Sequence, residues 1–448
     1  MSAAAISEAV RAGRMSISES VNRALDACAA DRCNAVTALL ADRARTRAAR
    51  MDAQGETNGP LAGVPFAVKN IFDVAGQTTR AGSAATDGDA PAREDAFVIR
   101  ALEAAGAVLV ATTNMDEFAY GFSGENAHDG DTLNPRDRRL SPGGSSSGSA
   151  ALVASGAVPL ALGTDTNGSA RVPAALSGAI GFKPSYGRLS RNGVFPFVPS
   201  LDHVGIFAAN VSDAARAFAA MDQPDPADPI AARVPQAELA APRVARLGGW
   251  FAAPLQEDVA TAMEAACTAL DVRETLELRH AEEARAASFI LTTSEGGQTH
   301  LARLAARPEG YGPLVRHRLT AGAMSPAIWT TRAQKLRRMV SVELADLHAQ
   351  ADILIAPATP CPAFPVGTDT HEVAGSALPI RLGIGMFTQA LTLTGVPIIV
   401  LARRGELSGL PVGVQLIAAP HAEATLLASA AKLEAAGFHT APEEASHV

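Results

Sequence analysis

The chain has 448 residues, with 38 Lys+Arg against 46 Asp+Glu for a formal net charge of −8, 48% hydrophobic and 19% charged residues. That apolar share can offset the entropy of ordering the chain, which excludes intrinsic disorder. The acidic balance excludes a large nucleic-acid footprint, because no domain-scale excess of Lys and Arg exists to neutralise phosphates. At roughly 150 residues per domain the length suggests about three domains, a soft expectation that one large α/β unit overrides by insertion.

The N-terminus, MSAAAISEAVRAGRMS, carries Glu8, Arg11 and Arg14 where a signal peptide needs an unbroken apolar run. The first 55 residues read as helices: Ile6 and Val10, then Met15, Val21, Leu25 and Cys28, recur at helical spacing. Ser16 or Ser18 is the expected cap of the second helix. LAGVPFAVKN, from Leu61, is a short apolar run behind a Gly-Val-Pro break and reads as a buried strand. DAFVIRALEAA (95–105) reads as a helix ended by Gly106, and AVLVATT as the strand after it. Near the other end, DILIAPAT and VGVQLIAAP read as strands and ATLLASAAKLEAA as a helix ended by Gly437. Such alternation predicts an α/β fold around a largely parallel sheet. QPDPADP (223–229), with three prolines, is expected to be a surface loop, and 362–383 lacks periodicity. Neither makes a domain linker, so one core with a helical N-terminal segment over 1–55 is expected.

The four cysteines, Cys28, Cys33, Cys267 and Cys361, form no CxxC and no zinc-ligand pattern. No stretch approaches 18 consecutive apolar residues, so no membrane span is predicted. These features together predict a cytoplasmic protein.

Chemistry could sit in two small-residue tracts. SPGGSSSGSAALVASG (141–156) has the composition of a flexible linker. An apolar helical run follows at once, however, which would place its serines at a buried helix N-terminus. The phosphate-binding GxxxxGK[ST] pattern fails for want of a lysine. GTDTNGSARVPAA (163–175) follows an apolar run and pairs Gly168 with Ser169; a tight turn there would set backbone N–H groups beside a serine hydroxyl, as oxyanion stabilisation needs. A plain surface turn is the alternative. A serine nucleophile requires a base, yet none of the ten histidines lies in these tracts and no GxSxG elbow exists. Lys69, ending VPFAVK, is the other candidate. Burial would have to lower its pKa by roughly three units for a neutral fraction at pH 7, whereas a lysine at a strand end is ordinarily a solvated charge.

Taken together, Lys69, GGSSSGS, GTDTNGSAR and GFKPSYGRLS (181–190) resemble the amidase signature family. The match runs from about Gly63 to Gly205, with a looser one in TLTGVPIIV and GLPVGVQLIA. The resemblance implies a mixed, largely parallel central sheet covered by helices on both faces. It places a Ser-Ser-Lys triad on Ser169 as nucleophile, Ser145 as bridging serine after a cis Gly144–Ser145 bond, and Lys69 as terminal base. Backbone N–H groups of Thr166, Asn167, Gly168 and Ser169 map to the oxyanion hole, with Asp165 and Arg171 as structural supports. No metal or organic cofactor is implied. TNMDEFAYGFSGENAHDG (113–130) is similar to a stretch of the glutamine-hydrolysing A subunit of tRNA-dependent amidotransferases, pointing to Ala119, Tyr120 and Gly121 as acyl-pocket lining.

Two departures bear on the substrate. TNGS stands where most of the family has TGGS, and an Asn at 167 could hold a positive φ at some cost. Gly385 stands where the glutamine-hydrolysing protein has the aspartate that holds the substrate ammonium, while Arg318 still aligns with the arginine that pairs the substrate carboxylate. The TNGS turn, SRNGVFPFVPSLDHVG and RLGIGMFTQ are similar to the 1-carboxybiuret (biuret-type) hydrolase branch. The expected activity is therefore release of ammonia from a small carboxylated urea-like amide. The resemblance further implies a small helical partner like the C subunit of the amidotransferases and a dimeric core, without direct nucleic-acid or membrane contact. The alternatives are an inactive amidase-fold scaffold and the glutamine-hydrolysing A subunit of a tRNA-dependent amidotransferase.

Overall fold

The computed structural model describes residues 1–231, 234 and 238–440. Among these, eleven strands form one sheet and two more form a hairpin. In chain order the strands are β1 (Val36–Leu39), β2 (Pro65–Lys69), β3 (Val108–Thr113), β4 (Leu160–Asp165), β5 (Ile180–Lys183), β6 (His203–Ala208), β7 (Val244–Leu247), β8 (Glu274–Leu276), β9 (Ile353–Pro357), β10 (Thr370–Val373), β11 (Ser376–Pro379), β12 (Ile398–Arg404) and β13 (Pro411–Ala418). The sheet order is β1-β3-β2-β4-β6-β5-β12-β13-β9-β7-β8.

The sheet is mixed, as expected. Its parallel pairs sit towards the flanks, β3-β2-β4 on one side and β9-β7-β8 on the other. The middle, from β4 through β6, β5, β12 and β13 to β9, is antiparallel. The antiparallel share exceeds what helix–strand alternation suggested, because β12 and β13 follow one another directly and each pairs antiparallel with its neighbours. Every residue of β2, β3, β4, β6, β9 and β13 is buried, without the in–out alternation of a half-solvated strand. Burial of consecutive residues requires cover on both faces. One apolar cluster runs from Ala3 to Phe438 and includes the N-terminal helices. No helix among the described residues is long and apolar enough to cross a membrane.

The N-terminal segment forms helices at Ala3–Arg11, Ile17–Ala29 and Ala41–Gln54, and Ser16 caps the second by accepting from Glu19 N. It also contains β1, which the helical reading of the first 55 residues missed: VTAL is four residues long and half-exposed, at the sheet edge beside β3. The unperiodic 362–383 likewise holds the β10–β11 hairpin, turned at Ala374 (φ 48°) and Gly375 (φ 78°). Positive φ at both turn residues suits a two-residue hairpin, but Ala-Gly signals it more weakly than Asn-Gly. QPDPADP lacks regular structure and is mostly exposed, yet Asp225 and Asp228 are buried and accept from Ser190 Oγ (2.5 Å) and Arg191 N (2.9 Å).

Candidate active site

The site lies where β2 and β4 end. The two strands are parallel neighbours with Val68 opposite Leu162, so Lys69 and the turn after Asp165 leave the sheet side by side. Carboxyl ends of parallel strands are where open α/β sheets build ligand sites. The third piece is the start of the helix Ser147–Ala154, reached through the SPGGSSS tract. Residues 141–150 of that tract are all buried, which overturns the linker composition. The Gly144–Ser145 peptide is cis. Gly144 has no room for a side chain: a Cβ there would collide with the Asp116 carboxylate.

Lys69 is wholly buried rather than a solvated charge. Its Nζ stands 2.8 Å from Ser145 Oγ and 2.9 Å from Thr164 Oγ1. Burial holds the ammonium well below the ordinary lysine range, against the opposing pull of the Asp116, Asp202 and Asp165 carboxylates. Asp116 is its counterpart: burial raises the acid, while Lys69 and the N–H groups of Ser123 and Gly124 oppose that rise. A neutral amine beside a hydroxyl can take a proton, which an ammonium cannot.

The turn after β4 is fixed by Asp165. Burial alone would raise its pKa, but the Arg171 guanidinium holds it at about 2. Arg171 donates Nε to Asp165 Oδ2 (2.9 Å) and Nη2 to Asp165 Oδ1 (3.0 Å), and the pair has no solvent exposure. A bidentate pair of this kind is directional. The same carboxylate accepts from Gly168 N (2.8 Å) and Ala170 N (3.2 Å).

That contact corrects one expectation for the oxyanion donors. Gly168 N–H is already given to Asp165, whereas those of Thr166, Asn167 and Ser169 donate to no described residue. Gly168 itself has a φ of 134°, and a Cβ there would strike the Thr388 hydroxyl. The second correction concerns Asn167, which is not among the residues with positive φ; Gly168 alone carries that conformation within the turn.

Thr166, Asn167 and Ser169 line a cavity of about 710 Å³. Ser169 lines it, while the hydrogen-bonded pair Lys69–Ser145 does not. Ala119, Tyr120, Gly121 and Arg318 all line the same cavity. Arg318 lies 3.7 Å over the Tyr120 ring and donates to Tyr120 O at 2.9 Å. The Tyr120 hydroxyl is buried without a hydrogen-bond partner among the described residues. Gly385 does not line the cavity; a side chain there would run into the Phe122 ring.

Sequence reasoning missed several residues. Asp116 lies within the quoted TNMDEFAYG block, but nothing in that string said its carboxylate would press on Gly144. Thr164 lies within the GTDTNGSAR tract, but nothing there marked its hydroxyl as a partner of Lys69. Arg285, Phe289, Thr292 and Gln389 reach the cavity from helices Ala281–Ala306 and Met386–Thr392, and no local motif marks them.

The amidase family model matches residues 19–427. The chain is 44% identical over 447 residues to the AtzE subunit of 1-carboxybiuret hydrolase from Pseudomonas sp. (strain ADP), covering 97% of this chain and 98% of that one. It is 36% identical to the A subunit of glutamyl-tRNA(Gln) amidotransferase from Koribacter versatilis (strain Ellin345), covering 90% of each. Among solved structures, an inhibitor-bound vestigial protein complex bearing on the origins of an s-triazine catabolic enzyme matches with a TM-score of 0.95 at 42% identity, over 98% of this chain and 100% of that one. The chain belongs to the amidase signature family and is a hydrolase of amide C–N bonds.

Proposed function

We propose that the chain hydrolyses a small carboxylated urea-like amide of the 1-carboxybiuret type, releasing ammonia. Neutral Lys69 takes the proton of Ser145, which takes that of Ser169. Ser169 Oγ then attacks the amide carbonyl, and the tetrahedral oxyanion is met by the N–H groups of Thr166, Asn167 and Ser169. The proton returns to the leaving nitrogen, the C–N bond breaks and ammonia departs. Water attacks the acyl-enzyme by the same relay and frees the acid.

The observation that carries this reading is the shared cavity. Ser169 and Arg318 line one wall system, while Phe122 occupies the space an acidic side chain at 385 would need. Such a pocket offers a guanidinium for a carboxylate and no residue-385 carboxylate for an α-ammonium. The relation to a 1-carboxybiuret hydrolase supports the same choice. We assign the chain a single amidase domain that works in a dimeric core with a small helical partner; the related solved complex supports the heteromeric part.

Ammonia release from 1-carboxybiuret, biuret, malonamide and glutamine tests the assignment, with Ser169→Ala as control. Release from the urea-like compounds, absent in the control, is the expected result. Release from glutamine alone would move the chain to the amidotransferase reading.

A further inference from the structure

Asn167 carries a side chain where the turn itself demands none. Its Oδ1 accepts from Ser288 Oγ at 2.5 Å, and its Nδ2 donates to Thr292 Oγ1 at 2.7 Å. Ser288 and Thr292 stand four residues apart, one above the other on the helix Ala281–Ala306. The Thr292 hydroxyl gives its own proton to Ser288 O (2.8 Å), so towards Asn167 it can only accept, which fixes which end of the amide faces it. The main-chain oxygen of Asn167 is held separately, accepting from Thr388 Oγ1 at 2.8 Å. All four residues are buried. The oxyanion turn is thus gripped from two helices, and Arg285 and Phe289 on the longer one face the substrate cavity.

We propose that Asn167 is a positioning residue, whose side-chain amide locks the oxyanion turn to the helix forming the pocket wall. The inference rests on the assignment of Ser169 as nucleophile, not on the identity of the amide. The N–H groups of Asn167 and Ser169 act only if they already point at the developing charge, and a satisfied buried network supplies that rigidity. A displacement on the order of 1 Å in such a site costs about 100-fold in rate. Loss of the grip therefore slows the chemical step and leaves binding nearly unchanged.

A small alkyl fluorophosphonate tests this without knowledge of the natural substrate. Ser169 Oγ forms a bond to phosphorus, fluoride leaves, the hydroxyl proton passes to the Ser145–Lys69 relay, and the phosphoryl oxygen takes the oxyanion's place. Intact mass and peptide mapping give the site, and the saturation curve separates the maximal rate from the half-saturating concentration. Asn167→Ala should lower the maximal rate at Ser169 by about 10- to 100-fold, with half-saturation within about 2-fold. Ser288→Ala with Thr292→Val, which leaves Asn167 in place, should reproduce that loss. The triple variant should be no slower than either, since the changes break one interaction. A wild-type maximal rate in Asn167→Ala, a loss confined to half-saturation, or losses that multiply in the triple variant would each overturn the proposal. Labelling of wild type at another residue, or of Ser169→Ala at the wild-type rate, would instead overturn the nucleophile assignment on which it rests.

Discussion

Two buried lysines end neighbouring parts of the sheet, and they are not equivalent. Lys69 closes β2 and Lys183 closes β5; both are wholly buried, and burial lowers the pKa of each. For Lys183 the nearby Arg171 charge adds to burial, and the value falls to about 7. The difference lies in the partners. Lys69 faces two hydroxyls, Ser145 and Thr164, and Ser145 can pass it a proton. Lys183 donates to two main-chain carbonyls, Pro184 O at 3.1 Å and Val396 O at 2.5 Å, which have no proton to give. Burial makes a lysine neutral, but only an exchangeable partner makes it a base. A perturbed pKa alone would have nominated both residues.

The largest losses fall at the nucleophile and the base. Ser169→Ala and Lys69→Met should each lower kcat/KM by at least about 10³- to 10⁴-fold, while circular dichroism shows a retained fold. Wild-type rates in either would remove that residue from the reaction. Arg318→Ala acts at the pocket. It should raise KM for a carboxylated amide by about 10- to 100-fold, the worth of a charged hydrogen bond, and alter a neutral amide far less. Equal effects on both would take Arg318 out of substrate recognition.

The contrast also has a pH signature in stability. Lys183 has a folded pKa near 7 against about 10.5 unfolded, so between these values the unfolded chain binds the extra proton. Stability should therefore rise with pH across that window, with the cost of burying the lysine fully felt below about pH 7. Lys183→Met should flatten part of that rise in denaturant titrations at pH 7 and pH 10. An unchanged slope would show that Lys183 is already charged in the fold. At pH 10, where little of that protonation cost remains, the same substitution leaves two carbonyls unpaired and should cost about 1–3 kcal/mol of stability, the smallest expected effect.

The sequence spoke clearly about the reacting groups because they are local. Lys69, Ser145 and Ser169 each sit in a short tract, and the glycines of the two serine tracts stand where Asp116 and Thr388 press on the backbone among buried serines. The strand that ends in Lys69 was readable as an apolar run behind a Gly-Val-Pro break, whereas β4 was visible only as an apolar run. The pocket wall was not readable, because the helices Ala281–Ala306 and Met386–Thr392 assemble it from positions more than a hundred residues beyond the nucleophile. Ser288 and Thr292 look like ordinary helix residues until Asn167 is seen between them. The oxyanion turn shows the limit from the other side: the motif named four amides, and only the fold revealed that Asp165 already holds Gly168 N–H.

The most direct test sets the two lysines in one assay, following kcat/KM against pH for wild type, Lys69→Met and Lys183→Met on the amide the wild type turns over. The expected result is an ionisation limb well below the ordinary lysine range, rising with pH as Lys69 loses its proton, kept in Lys183→Met and abolished with activity in Lys69→Met. A limb that moves when Lys183 is replaced, or activity that survives without Lys69, would contradict it.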